Sequence, residues 1–458
     1  MKKFLLTICA CTAMSTMMAQ NLQEARLYVP AFDAEYMEGV FGSIYGVSAN
    51  GEYAVGYDDL LGTCAFMWSR ATGEFEMIDL ASMMMDVAND GTAVGNYFVE
   101  IPGSEDGSFA TRPGYYKNGE WKPLPIYRSE VLLTPATGES DDMNGCAMAI
   151  SADAQFIAGY ITDTYIYKLF PVLWKWNEEL QDYEIVEEYV NIQENIDALD
   201  CPYGWIVKDM SDDGTVLSGY SEWGSGARSA AVLVNGEEKR LTTLEDPRLK
   251  DPDGDMGIRM DCEGDAFVSD NGQYVAGFFS EEIGVYNSFT WTPGQESALR
   301  ETSTRIYRTV DDDGTIYGST SIGGNAAMYK NGEEILLSDV YTWDTPAGAY
   351  LSTIFANSNG GDVLGGVAFV AFSMQTINVP AVLDTKPASA IDAVEKQANN
   401  VVMASGWAFI NGTYESAAVY NMQGVLVASA NKGNIDMNHL PAGVYVVIVD
   451  GASYKVVK

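Results

Sequence analysis

Three acidic residues in "KDPDGDMG" (250–257) are the first candidates for chemistry. Asp251, Asp253 and Asp255 alternate around Gly254, and carboxylates spaced this way in a tight loop suit a hard cation such as Ca²⁺. The Gly position and the missing distal Glu set it apart from an EF-hand, and a solvated acidic turn is the alternative. Apart from this candidate calcium, no cofactor is expected. Tyr203, Trp205 and Trp223 are candidate ligand-binding residues, because exposed rings stack on sugar faces and on partner side chains. Their alternative is burial beneath the loop in "CPYGWIV". The only histidine is His439, near the C-terminus, where "MNHLPAG" makes it a turn residue. Ser-His-Asp and Cys-His catalysis and multi-His metal sites are thereby excluded from the rest of the chain. Glycosidase chemistry needs only two carboxyl groups about 5–9 Å apart. Acidic residues are too numerous for the sequence to single out such a pair. The "DDG" stretches 212–214 and 312–314 are explained by hairpin turns alone.

The charge balance narrows the partners. The 458-residue chain has a formal charge of −38, which repels phosphate backbones and anionic headgroups, so nucleic acid is not an expected partner. The opening "MKKFLLTICACTAMSTMMAQ" reads as a secretory signal peptide over 1–19, cleaved after Ala19. Losing Lys2 and Lys3 takes the charge to −40. A lipoprotein would need Cys9 or Cys11 behind "LTI" or "ICA", and both are poor lipoboxes. No later run is long and apolar enough for a membrane span. The expected location is secreted or at the outer cell surface. Cys64, Cys146, Cys201 and Cys262 remain after the leader; three pairings are open, as are buried thiols.

What must position these residues is a repeat. "VSANGEYAVG" (47–56) recurs as "VANDGTAVG" (87–95), "ISADAQFIAG" (150–159), "MSDDGTVLSG" (210–219), "VSDNGQYVAG" (268–277), "VDDDGTIYG" (310–318) and "NSNGGDVLGG" (357–366). Each copy is an apolar entry, a polar pair, Gly (Ala154 in the third copy), and a second apolar run ending in Gly: a hairpin signature. The turns fall 40, 63, 60, 58, 42 and 46 residues apart. Most copies are followed by a second hairpin, such as "GYYKNGEWKPLP" or "AAMYKNGEEILL". Two successive hairpins in about forty residues make one propeller blade. The expected fold is all-β, a seven-bladed β-propeller over 20–385 followed by a small C-terminal β-sandwich. The seventh unit lacks its outer strand, and "ARLYVPAF" (25–32) is expected to supply it, closing the ring without free edges.

"YGVSANGEYAVGY" followed by "CAFMW" resembles the bacterial extracellular repeats named for a His-Ala-Phe triplet, with Cys64 in place of the His. The resemblance covers about residues 43–385. It implies an extracytoplasmic propeller and carries no catalytic residues with it.

A polar linker, 386–400, leads to alternating runs over 401–458 that read as strands of a small β-sandwich. "AAVYNMQGVLV…NIDMNHLPAGVYVVIV…YKVVK" is similar to the C-terminal sorting domain of the Bacteroidetes type IX secretion system. The matching residues are Val419, Tyr420, Asn421, Gly424, Leu440, Gly443, Tyr445, Lys455 and Lys458. The resemblance implies that an export apparatus reads this end as an address.

In a propeller, the loops between blades and between a blade's two hairpins open on one face. Here those are the long loops 96–111, 126–146, 186–206, 220–228 and 244–264, with two-residue tips opposite. A ligand is therefore expected on the long-loop face. The functional expectation is a non-catalytic binder of a glycan or protein. The alternative is a polysaccharide hydrolase or lyase using carboxylates, or Tyr with Arg, in the central pocket.

Overall fold

The structure is a computed structural model. It describes residues 22–30, 32–33, 38–39, 41–58, 64–80, 82–100, 109–126, 143–163, 168–186, 204–223, 227–242, 264–282, 285–301, 303–344, 349–372, 375–387, 401–404, 407–410, 416–421, 424–430, 432–449 and 452–458. The chain divides into two compact units, Met1–Thr385 and Lys386–Lys458.

The larger unit is built from four-stranded antiparallel sheets. Sheet 1 comprises Ser43–Val47, Tyr53–Asp58, Cys64–Ser69 and Glu74–Leu80. Sheet 2 comprises Ser82–Val87, Ala93–Glu100, Phe109–Lys117 and Glu120–Pro123. Sheet 3 comprises Met143–Ile150, Phe156–Asp163, Lys168–Asn177 and Asp182–Ile185. Sheet 4 comprises Gly204–Met210, Val216–Trp223, Ala227–Val234 and Glu237–Arg240, and a single parallel bridge, Leu169 to Gly204, joins it to sheet 3. Sheet 5 comprises Gly264–Val268, Val275–Glu282, Val285–Trp291 and Leu299–Glu301. Sheet 6 comprises Ile306–Val310, Ile316–Ser319, Ala326–Lys330 and Glu333–Leu336. Sheet 7 takes Tyr350–Asn357, Val363–Phe372 and Gln375–Asp384 from the end of the unit. Its fourth strand is Arg26–Tyr28, antiparallel to the third with Arg26 opposite Asp384.

The hairpin signature explains itself locally. In sheet 1 the Ser48 hydroxyl donates to Asn50 Oδ1 (2.8 Å) and accepts the Tyr53 N–H (3.0 Å), while Gly51 N–H closes the turn on the Ser48 carbonyl (2.7 Å). Ser151, Ser211 and Ser269 repeat this pattern, so the motif serines are turn-formers, committed within their own hairpins. The residue in the Gly51 position has positive φ, which Ala154 adopts at 58°. The Gly that ends each motif has a different cause. A Cβ on Gly56, Gly95, Gly159, Gly219, Gly277, Gly318 or Gly366 would lie 1.9–2.2 Å from a carbonyl oxygen of the preceding strand. In most of these sheets a bulge in the first strand accompanies the close approach.

The core lies between neighbouring sheets. Ile44, Phe66 and Trp68 of sheet 1 pack with Val363 and Val382 of sheet 7, and Val55 with Met84 of sheet 2. Further buried clusters join sheets 2 and 3, 3 and 4, 4 and 5, 5 and 6, and 6 and 7. Each sheet therefore has a hydrophobic neighbour on both faces, and the last packs on the first. This is the arrangement of a β-propeller.

In the smaller unit, Val401–Ala404, Trp407–Ile410 and Ile435–Asp436 form one sheet, and Ala417–Asn421, Leu426–Ala430, Val444–Val449 and Ala452–Val457 form another. Ala408, Ile435 and Met437 share a buried core with Val419, Val447 and Tyr454.

Candidate binding site in the central channel

The first strands of all seven sheets line one cavity of about 370 Å³. Consecutive residues of a first strand border this space, as Met85, Asp86 and Val87 do in sheet 2 and Lys208, Asp209 and Met210 do in sheet 4, because the first strand is the inner edge of its sheet. One wall is aromatic. Tyr45 stacks on Tyr57 (centroids 4.8 Å apart, 11° between planes), and Phe355 lies 5.8 Å from Tyr45. The Arg308 guanidinium lies over Phe278 and Phe355, at 4.4 and 5.4 Å.

The remainder of the lining is dominated by seven carboxylates, against which stand two cations, Lys208 and Arg308. The carboxylates fall into three roles. Asp86 and Asp209 occupy the same place in sheets 2 and 4, immediately before the hairpin signature. Asp86 accepts the N–H of Val87 and, from the next sheet, that of Ile150, both at 2.8 Å. Asp209 accepts the N–H of Met210 at 2.8 Å and that of Val268 in the next sheet at 3.0 Å. Each is a clip between neighbouring sheets. Loss of water raises both acids, Asp86 well above the usual range and Asp209 to about 6, against the lowering effect of their amide donors.

Asp212, Asp311 and Asp312 belong to a belt that links the hairpin tips around the ring. Asn50 N–H donates to Asn89 Oδ1 (2.7 Å), Asn89 N–H to the Ala152 carbonyl (3.0 Å), and Ala152 N–H to Asp212 Oδ1 (2.6 Å). Asp212 N–H then donates to the Asp270 carbonyl (2.8 Å), and Asn271 N–H to Asp312 Oδ1 (2.8 Å). Gly360 N–H donates to Asp311 Oδ1 (3.1 Å), and Asn359 N–H to the Ala49 carbonyl (2.9 Å), which returns the belt to its start. The neighbouring Asp213 and Asp313 do what the sequence expects of Asp-Gly, accepting the N–H of Thr215 and Thr315 within their own turns.

Asp265 and Asp270 form the third group. Asp265 is 7 % exposed and its Oδ1 has no partner; its nearest cation, Arg308 Nη1, is 3.8 Å from Oδ2. The Asp270 carboxylate makes no hydrogen bond among the described residues. Burial raises it to about 8, and the charges of Asp212, Asp209, Asp312 and Asp311 add to the effect. No group of three His, Cys, Asp or Glu side chains among the described residues converges closely enough to hold a metal ion.

Of the sequence-based candidates, Trp205 does not line this cavity. Trp205 is in the first strand of sheet 4, 2 % exposed and packed in the core with Val207 and Leu217, so its ring is not offered to a ligand. Met210 of the same strand borders the channel and also belongs to that core, whereas Trp205 does not line the cavity. Trp223 ends the second strand of sheet 4, opposite Ala227. Tyr203, Asp251, Asp253 and Asp255 lie outside the described residues, as does most of the length of the long loops. The described cavity instead reaches the short tips, through Ala49, Ala152, Asp212, Asp270 and Asp312. Cys64 and Cys146 are buried, and burial pushes the Cys146 thiol up to about 12. The channel carboxylates were missed because Asp before Asx-Gly reads as ordinary turn chemistry; the usable signal was its recurrence at 212, 270 and 312.

In the smaller unit, Tyr420 and Asn421 end a strand, and Asn421 closes a turn with Gly424, whose φ is 73°. The Tyr445 hydroxyl donates to the Pro441 carbonyl (2.7 Å), and Gly443 and Lys458 exchange backbone hydrogen bonds. Lys458 Nζ donates to the carbonyls of Asn438 and Leu440. Lys455 lies opposite Val446, and His439 is exposed in the intervening turn.

No family model matches the chain, and no curated protein matches it. Among solved structures it is similar to the β-propeller domain of the Trilobed protease from Pyrococcus furiosus, at 13 % identity and TM-score 0.40, covering 70 % of this chain and 97 % of that one. It is also similar to PorZ, a surface component of the type-IX secretion system of Porphyromonas gingivalis, at 10 % identity and TM-score 0.37, covering 90 % of this chain and 58 % of that one. A third is oligogalacturonate lyase from Vibrio parahaemolyticus, at 9 % identity and TM-score 0.38, covering 80 % and 98 %.

Proposed function

We propose that the chain is an extracytoplasmic, non-catalytic binding protein. Residues 20–385 form a seven-bladed β-propeller closed by the N-terminal strand, and 401–458 form a β-sandwich sorting domain. Its ligand is a glycan or a protein. The observation that carries the binding reading is the channel cavity itself. It combines an aromatic wall with Asp265, whose Oδ1 has no partner among the described residues, and Asp270, whose carboxylate accepts no hydrogen bond from them, while the other carboxylates serve the scaffold. Asp86 and Asp209 have both oxygens engaged by backbone N–H groups, so they hold neighbouring sheets together.

A second reading has one observation in its favour. Tyr45, Tyr57 and Arg308 line the same cavity as the carboxylates, which is the residue set a polysaccharide lyase or hydrolase would draw on.

Retention of the full chain on arrays of glycans and immobilised surface proteins tests the binding reading. Retention of a ligand that is recovered uncleaved is expected, and depolymerisation of a polysaccharide would count against it. The sorting reading rests on the Tyr420–Lys458 resemblance and on the turn that Asn421 and Gly424 build. Deleting 401–458 is expected to leave the protein inside the cell envelope, as read by fractionation; unchanged release would remove this part of the account.

A further inference from the structure

We propose that the channel cavity binds an organic cation, an alkylammonium or guanidinium group, between the carboxylates of Asp265 and Asp270 and the Tyr45–Phe355 wall. The inference rests on the reading of the channel as a binding site and names the chemistry of its ligand.

Its first support is the state of the two acids. Asp265 is 7 % exposed, its Oδ1 has no partner among the described residues, and its Oδ2 stands 3.8 Å from Arg308 Nη1. Asp270 faces the cavity with no hydrogen bond among the described residues, surrounded by like charge from Asp209, Asp212, Asp311 and Asp312. A buried carboxylate oxygen without a donor is unfavourable, and Asp265 shares its cavity with the half-buried Asp270. Elsewhere in the lining, Asp86 and the remaining acids are engaged by N–H donors. Lys208 and Arg308 leave the cavity with a large excess of negative charge.

The second support selects the kind of cation. The acids are distributed around a ring, and no three of the described ones converge as a metal requires. An extended ligand that donates several hydrogen bonds matches that distribution better. The aromatic wall adds a preference, since ring faces attract ammonium and guanidinium groups. Arg308 already shows the affinity within the protein, lying over Phe278 and Phe355. A cavity of about 370 Å³ admits a lysine or arginine side chain.

Calorimetric titration of the full chain with tetralysine and tetraarginine tests this, with spermidine and Ca²⁺ as further ligands. Saturable one-site binding is expected, tighter at pH 8.5 than at pH 6. Burial and like charge raise Asp270 to about 8, and the bound cation requires it ionised, so binding also releases a proton and the heat varies with buffer ionisation enthalpy. This readout needs no variant. Asp265→Asn and Asp270→Asn are each expected to weaken binding about tenfold or more. Glu76→Gln, on an exposed outer strand, should leave it unchanged. Tighter peptide binding assigns the cation to a polypeptide partner, and tighter spermidine binding assigns it to a free polyamine. Equal loss in all three variants would reveal diffuse attraction to an acidic surface and overturn the proposal. So would saturable Ca²⁺ binding that displaces the peptides, or no binding at all. Retention of a neutral glycan without cation binding would remove this inference and leave the binding reading intact.

Discussion

Arg70 and Asp384, 314 residues apart in sequence, form a two-pronged ion pair: Arg70 Nε donates to Asp384 Oδ2 at 3.0 Å and Nη2 to Oδ1 at 2.8 Å. Arg70 follows the third strand of sheet 1, and Asp384, 1 % exposed, ends the third strand of sheet 7. The pair joins the first sheet to the last where the ring meets itself. Removing one partner of a buried pair strands the other, so Asp384→Ala is expected to cost about 3 kcal/mol, measured by urea unfolding. A loss below about 0.5 kcal/mol would show that the junction does not depend on this pair.

The N-terminal strand reinforces the same junction. Tyr28 packs on Trp68 of sheet 1, with centroids 5.2 Å apart, although its own strand pairs with sheet 7. Tyr28→Ala should cost about 2 kcal/mol. Deleting 22–30 exposes the edge of the Gln375–Asp384 strand and should lower the melting temperature further, with increased self-association visible by light scattering.

Ala154 holds a backbone conformation that the other turns give to Gly. Ala154→Gly relieves about 1 kcal/mol of strain but removes a buried methyl group, so its net effect should be close to zero or slightly stabilising. Gly214→Ala should cost about 1–2 kcal/mol, since the new Cβ adopts positive φ and meets Phe156 at 3.1 Å. Thermal melts of the two variants should therefore move apart; equal shifts would refute the explanation of the turn.

The channel acids give stability a definite pH dependence. Asp209 rises to about 6 and Asp270 to about 8 on folding, from 3.8. A raised acid binds its proton more tightly in the folded state, so its contribution is complete below pH 4 and is lost as pH rises through the folded value. The melting temperature should fall between about pH 4 and pH 8. Asp270→Asn should flatten the upper part of that fall, and a parallel profile for the variant would show that Asp270 is not responsible.

Much of this architecture is legible in the sequence because hairpins write their geometry locally. Asn50-Gly51 and its counterparts fix the tips, and the terminal Gly56 class marks the close approach between strands. The site is less legible, because its residues are remote in sequence and meet only where the first strands of the sheets surround the channel. Trp205 and Lys208 are three positions apart, yet one enters an intersheet core and the other the channel. Asp212, Asp270 and Asp312 resemble their turn-forming neighbours in type and spacing. Only the ring separates the carboxylates that join sheets from the one that has no donor.

A binding channel must hold its ligand unchanged. Its most direct test is product analysis of a panel of neutral and acidic polysaccharides incubated with the full chain, scoring new reducing ends and unsaturated uronate ends. The account predicts neither above the level of buffer. Turnover that Asp209→Asn or Arg308→Ala abolishes in variants that remain folded would contradict it and make the channel an active site.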